Sequence, residues 1–281
     1  MIMAGATYRQ NVDFLEAIAQ RPFLLDGGLS TWLGVKNYDL SDELWSARLL
    51  LQAPAAIVDA HGDFIRAGAD VITTASYQAT EAGFAKRGVD RQEFRGLLHR
   101  SVALAREAID RAEQPRTVYV AASVGPYGAM LADGSEYRGN YGLTVRELVR
   151  FHRDRLLVLA EAGPDVLALE TVPDVREAEA LLTALAGVGL PAWLSYSIRG
   201  EQTCAGQPLE EAFALAADLV GVNCCAPRDV PHAVALAANT GRPVVAYPNK
   251  GPIEPWPEPR LIGGCCDTTP ADIASISARR P

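Results

Sequence analysis

Cysteine is absent from the chain ahead of Cys204, histidine occurs only four times, and no basic cluster stands out anywhere in the 281 residues. Each shortage excludes something. Acidic residues outnumber basic ones, 34 against 26, for a formal net charge of −8, which argues against nucleic acid or an anionic membrane as the main partner. No apolar run approaches the roughly 20 residues needed to span a bilayer, and the N-terminus lacks the basic-then-apolar pattern of a secretory leader. The expectation is a soluble cytoplasmic protein. No Gly-x-Gly-x-x-Gly follows the first strand-like run, which removes the main sequence support for a doubly wound, dinucleotide-binding sheet as the competing fold.

The hydrophobic content, 49%, allows a sizeable core. It is arranged as short apolar runs without alternation, at 23–28, 70–75, 118–123, 165–170, 192–197, 219–223, 243–248 and from Leu261, separated by amphipathic stretches such as 54–67, 91–112 and 173–186. Apolar runs between helices indicate a parallel sheet buried on both faces. About eight such units close a (β/α)8 TIM barrel, and barrels of about 250 residues are commonly one domain, so a single α/β domain over 1–281 is predicted. Thr144 is the expected cap of a helix running to about residue 162. The seventh unit breaks the rule: four prolines between Asn249 and Arg260 predict a proline-rich loop in place of a helix. That would leave part of the outer wall uncovered or covered by a neighbouring chain, so monomer and homo-oligomer both stay open.

In such a barrel the C-terminal ends of the strands converge on one face. Here those ends carry Asp26, Thr73 with Tyr77, Ser123, Glu170, Ser197, Asn223 with Cys224, Asn249, and Cys265 with Cys266. A lone cysteine there would read as a small buried hydrophobe. Two adjacent thiols followed by Asp267, with a third thiol on a strand two places away, read instead as metal ligands. Cys224, Cys265 and Cys266 suit zinc, which takes thiolates at about 2.3 Å and keeps an open position when the protein supplies only three ligands. The four histidines, His61, His99, His152 and His232, fall in helical stretches and are not expected as ligands. Cys225 and Cys204 read as packing residues, and an odd number of cysteines, five, makes a disulfide framework unexpected.

These residues resemble the homocysteine S-methyltransferases. The resemblance runs through Asp26-Gly-Gly-Leu-Ser-Thr31, Leu44-Trp-Ser-Ala47, Ala67-Gly-Ala-Asp-Val-Ile-Thr-Thr74, Ser123-Val-Gly-Pro-Tyr-Gly128, Leu167-Ala-Leu-Glu-Thr171, Gly221-Val-Asn-Cys224, Tyr247-Pro-Asn249 and Gly263-Gly-Cys-Cys266. It implies that Cys224, Cys265 and Cys266 are zinc ligands, that Glu170 holds the amino group of homocysteine, and that Asp26 is an active-site acid. Gly27, Thr74, Ser123 and Asn223 join those two acids as candidate substrate contacts. The loop Asp133-Gly-Ser-Glu-Tyr137 resembles the branch of the family that uses sulfonium donors, S-methylmethionine or S-adenosylmethionine. Where family members usually carry a longer helical segment between Tyr-Pro-Asn and Gly-Gly-Cys-Cys, this chain has Lys250 to Pro259. The implied activity is zinc-dependent methyl transfer from a sulfonium to homocysteine, giving methionine. Two other readings stay open: a methyltransferase for another small thiol or selenol, and a zinc-binding barrel with impaired catalysis.

Overall fold

Eight parallel strands close on one another: β1 (Phe23–Leu24), β2 (Val71–Thr73), β3 (Tyr119–Val124), β4 (Val166–Val172), β5 (Ala192–Tyr196), β6 (Leu219–Asn223), β7 (Val244–Tyr247) and β8 (Pro259–Ile262). In the computed structural model, which describes residues 13–41, 43–215, 217–251 and 259–280, they pair in the order β1-β8-β7-β6-β5-β4-β3-β2. A parallel bridge between Leu25 and Val71 joins β1 to β2 and completes the ring. This is the predicted (β/α)8 barrel.

The unbroken apolar runs follow from burial on both faces. Leu24, Ile72, Val120, Leu167, Leu194 and Val220 point outward into the layer shared with the helices. Alternate residues, among them Leu25, Tyr119, Ala168, Trp193, Leu219 and Val245, fill the interior. Helix Phe14–Gln20 closes the end of the barrel opposite the strand C-termini, its Phe14 ring edge-on to Tyr119 at 5.5 Å. Gly221 belongs to the interior set. A Cβ there would lie 1.8 Å from the Val245 carbonyl oxygen, a backbone atom that cannot swing aside. Gly221→Ala is therefore expected to destabilise the fold by about 3 kcal/mol or more, read as a fall in the urea midpoint; a wild-type midpoint would show that β6 and β7 can separate at little cost.

Helix Val145–Glu161 begins with the expected Thr144 cap, a full capping box in which Glu147 returns the hydrogen bond. Between β1 and the helix Pro54–Arg66, a 3-10 turn, Trp45–Arg48, begins with Trp45 at φ +45° and leads into the short helix Leu49–Gln52. A C-terminal helix, Pro270–Ser277, was not expected, although a capping box between Thr269 and Asp272 and Pro270 in the first turn mark its start. The proline-rich seventh crossover falls mainly on 252–258, outside the described residues; the four residues before it, 248–251, are not helical. Among the described residues no helix is long and apolar enough to cross a membrane.

Candidate active site

Two loops at the barrel mouth carry the cysteines, Cys224 after β6 and Cys265 with Cys266 after β8, and backbone hydrogen bonds stitch both to the end of β7 and the loop that follows it. Cys224 N donates to Tyr247 O (3.1 Å), Cys265 N to Pro248 O (2.7 Å), and Lys250 N to Cys266 O (2.9 Å). Cys224 leaves β6 at φ +49°, which turns its side chain toward the mouth while Cys225 is buried in the outer core layer. The sulfurs of Cys224, Cys265 and Cys266 all lie within 4.8 Å of one another, and those of Cys224 and Cys266 are 3.4 Å apart.

The chemistry of this trio calls for a cation. Cys266 is drawn well below the usual thiol range by hydrogen bonds from Cys224 and Cys265, while Cys265 is pushed up by its contacts with Cys224 and Cys266 and by burial. Unaided, the cluster favours one negative charge; three thiolates together need a divalent ion. Tetrahedral bonds of about 2.3 Å place sulfurs about 3.8 Å apart, a spacing within the span observed. Three protein ligands leave one coordination position for another group.

Glu170 reaches the same mouth through a distortion of β4. The pairing of β4 with β5 slips between Leu169 and Val172, and Thr171 is held at φ +59°, a costly conformation for a β-branched residue. Asn223 supplies the clamp: its Oδ1 accepts from Thr171 N at 2.7 Å and its Nδ2 donates to Thr171 Oγ1 at 2.8 Å. Glu170 itself accepts hydrogen bonds from Ser123 Oγ and, at 2.9 Å, from Tyr247 OH. Burial raises its pKa against those two bonds. Across the mouth, Asp26 accepts from Thr73 N (2.7 Å) and Thr73 Oγ1 (2.9 Å). Its burial outweighs both and pushes its pKa up to about 7.

The raised pKa of Asp26 has a stability consequence. A carboxyl that titrates near 7 when folded and near 3.8 when unfolded binds more protons in the native state across that window. Native stability therefore falls as pH rises from about 4 to about 7. Asp26→Asn should flatten this part of the Tm-against-pH curve and raise Tm at neutral pH; an unchanged slope would place the titration elsewhere.

The sequence-predicted residues largely meet in one cleft at the barrel mouth. Asp26, Gly27, Thr74, Ser123, Glu170 and the three cysteines all line it. Gly27 is required by close approach, since a Cβ there would meet the Thr268 carbonyl oxygen at 2.6 Å. Asn223 lies beneath the cleft, with no exposed surface and its amide committed to Thr171 and Ser195. Ser197 turns to the backbone of Glu136 at 3.3 Å, and Asn249 lines a separate cavity. The four histidines stay in their helices, away from the sulfurs.

Sequence reasoning missed Tyr137, whose hydroxyl is 3.0 Å from Cys224 Sγ, and Trp45, which lines the cleft wall. Both residues lie inside motifs that carry the resemblance, but nothing local to either motif says which side chain turns inward.

A closed barrel with two buried carboxyls and three clustered thiols at the C-terminal ends of its strands defines a metal-site barrel enzyme class. A family profile described as homocysteine S-methyltransferase matches residues 23–280. The homocysteine S-methyltransferase of Escherichia coli K12 is 43% identical over 91% of this chain and 94% of its own length. The selenocysteine Se-methyltransferase of Brassica oleracea var. italica is 39% identical over 91% of this chain and 88% of its own length. The crystal structure of the metallated form of the E. coli homocysteine methyltransferase MmuM superposes with a TM-score of 0.90 at 44% identity, covering 95% of this chain and 99% of that one. The chain belongs to the homocysteine S-methyltransferase family.

Proposed function

We propose that the protein transfers a methyl group from a sulfonium donor, S-methylmethionine or S-adenosylmethionine, to homocysteine, with zinc held by Cys224, Cys265 and Cys266. The observation that carries this reading is the placement of three converging sulfurs in one cleft with buried Glu170 and Asp26. Zinc bound there supplies the acidity that makes an incoming thiol a thiolate at neutral pH.

The remaining work falls to the chain's own side chains. Glu170, oriented by Ser123 and Tyr247, presents a carboxylate to the ammonium of homocysteine. Asp26, on the opposite wall, adds negative charge as pH rises through its pKa of about 7, which suits an amino-acid acceptor and a cationic donor alike. Tyr77 and Trp45 give the cleft aromatic surface on which a sulfonium can rest. The acceptor sulfur forms a bond to the methyl carbon as the donor carbon–sulfur bond breaks, and the bonding pair stays on the donor sulfur as a neutral thioether. The thiol proton goes to solvent. Because the leaving group is neutral, no general acid is required, and the strand ends carry no histidine to act as one.

Incubating zinc-loaded protein with homocysteine and each donor in turn tests the reading. S-methylmethionine should yield two methionines per methyl transferred, and S-adenosylmethionine one. Absence of methionine with both donors would overturn it. A selenol acceptor is a second reading, favoured by the similarity to the Brassica selenocysteine enzyme; competition between selenocysteine and homocysteine separates the two.

A further inference from the structure

Cys224 and Tyr137 line two cavities at once. One is the mouth cleft containing Asp26, Glu170, Cys265 and Cys266. The other lies behind them and is bordered by Ile198, Arg199, Cys204, Cys225, Arg228 and Asn249. Of the three clustered cysteines only Cys224 borders this second cavity, and Tyr137 is the other residue common to both walls. We infer that Tyr137 is a positioning and specificity-determining residue: its ring closes the rear approach to the three-cysteine centre, and its hydroxyl fixes the Cys224 sulfur. The inference rests on the metal-centre reading above and goes beyond it by naming what limits the thiols that reach the metal.

Tyr137 is built in firmly enough for this task. It ends a 3-10 turn, Ser135–Tyr137, entered through Gly134 at φ +79°, and its own N–H closes that turn on Gly134 O at 3.1 Å. The turn packs against Gly128, where a Cβ would lie 2.5 Å from Glu136 N, so the approach of the two segments needs a residue without a side chain. From the far side Ser197 Oγ donates to Glu136 O (3.3 Å) and Arg199 Nη2 to Tyr137 O (3.4 Å). The hydroxyl lies 3.0 Å from Cys224 Sγ. A metal-bound thiolate has no proton, so in the loaded protein the phenol is the donor. Such a bond draws electron density from the sulfur and restricts its rotation.

The two roles separate in two variants. Tyr137→Phe keeps the ring and removes the hydrogen bond; Tyr137→Ala removes the ring and joins the cavities. Cobalt(II) in place of zinc gives a readout independent of turnover, through the thiolate-to-cobalt charge-transfer absorption and its change on titration with homocysteine or with the bulkier tripeptide thiol glutathione. In wild type only homocysteine should perturb the spectrum. In Tyr137→Phe the charge-transfer band should move to longer wavelength, with homocysteine still preferred. In Tyr137→Ala glutathione should also perturb the spectrum, and the preference for homocysteine should fall at least about tenfold. An unshifted band in Tyr137→Phe, or a wild-type response to glutathione, overturns the inference, as does undiminished selectivity in Tyr137→Ala. If wild type takes up no cobalt, the metal centre itself is wrong and the inference falls with it; cobalt uptake with wild-type spectra in both variants sinks the inference alone.

Discussion

Serine in place of Cys265 is expected to leave the barrel folded, strip it of metal on dialysis, and abolish methionine formation. The substitution is nearly isosteric, and the loop is positioned by its backbone, with Cys265 N bonded to Pro248 O at 2.7 Å. A serine side chain stays a neutral hydroxyl where cysteine becomes an anion, so the site loses one of three charges and one of three soft ligands. Partners one step removed from a metal already alter affinity by about 10–100-fold, and loss of a direct ligand should exceed that. The checks are the metal-to-protein ratio after dialysis, circular dichroism and the methionine assay. A variant that retains both stoichiometric metal and activity would show that the cysteines are not the ligands.

Some of this arrangement was legible in the sequence and some was not, for physical reasons. Strand β6 and helix Arg91–Ala112 match the sequence reading because their boundaries are local: an apolar run stops at Asn223, and Asp90 caps the helix by accepting from Glu93 N. The cysteines were legible because adjacent thiols at a strand end are unusual, and because barrel topology brings β6 and β8 to either side of β7. The bend that aims Glu170 was not. Positive φ at Thr171 contradicts local preference and exists because Asn223, 52 residues later, clamps both its N–H and its hydroxyl. The wall that delivers Tyr137 depends likewise on distant groups. Gly125 O accepts from Arg155 Nη2 at 2.6 Å, and Tyr127 N donates to Glu177 Oε1, which His152 Nε2 also contacts at 2.9 Å. Arg155 also contacts His152 Nδ1 at 2.8 Å, and an arginine can only donate, so that nitrogen accepts and the ring proton sits on Nε2 toward Glu177. This buried polar group ties the β3 loop to two helices through contacts no short motif encodes. His152, set aside as a metal ligand, acts there.

Glu170→Gln should reduce kcat/KM for homocysteine by roughly 30- to 1,000-fold, the range for removing one charge from a buried, hydrogen-bonded ion pair at about 2–4 kcal/mol. The variant should fold. Its amide oxygen can keep the bond from Tyr247 OH, which Trp193 Nε1 holds in place at 3.0 Å, and its amide nitrogen can face Ser123, whose hydroxyl rotates freely enough to accept. The defect should depend on the acceptor's amino group. With 4-mercaptobutanoate, which lacks it, wild type and variant should react at similar, slow rates, because Glu170 then has no ammonium to hold. The pH profile adds an independent check. Burial lifts the Glu170 pKa above the ordinary carboxylate range, so acidification should neutralise it, and weaken homocysteine binding, at a higher pH than an exposed glutamate would. That part of the acid limb should vanish in Glu170→Gln, leaving the contribution of Asp26, which titrates near 7. Equal losses for both acceptors would mean that Glu170 shapes the cleft without reading the ammonium, and the proposed orientation of homocysteine would have to be reversed toward Asp26.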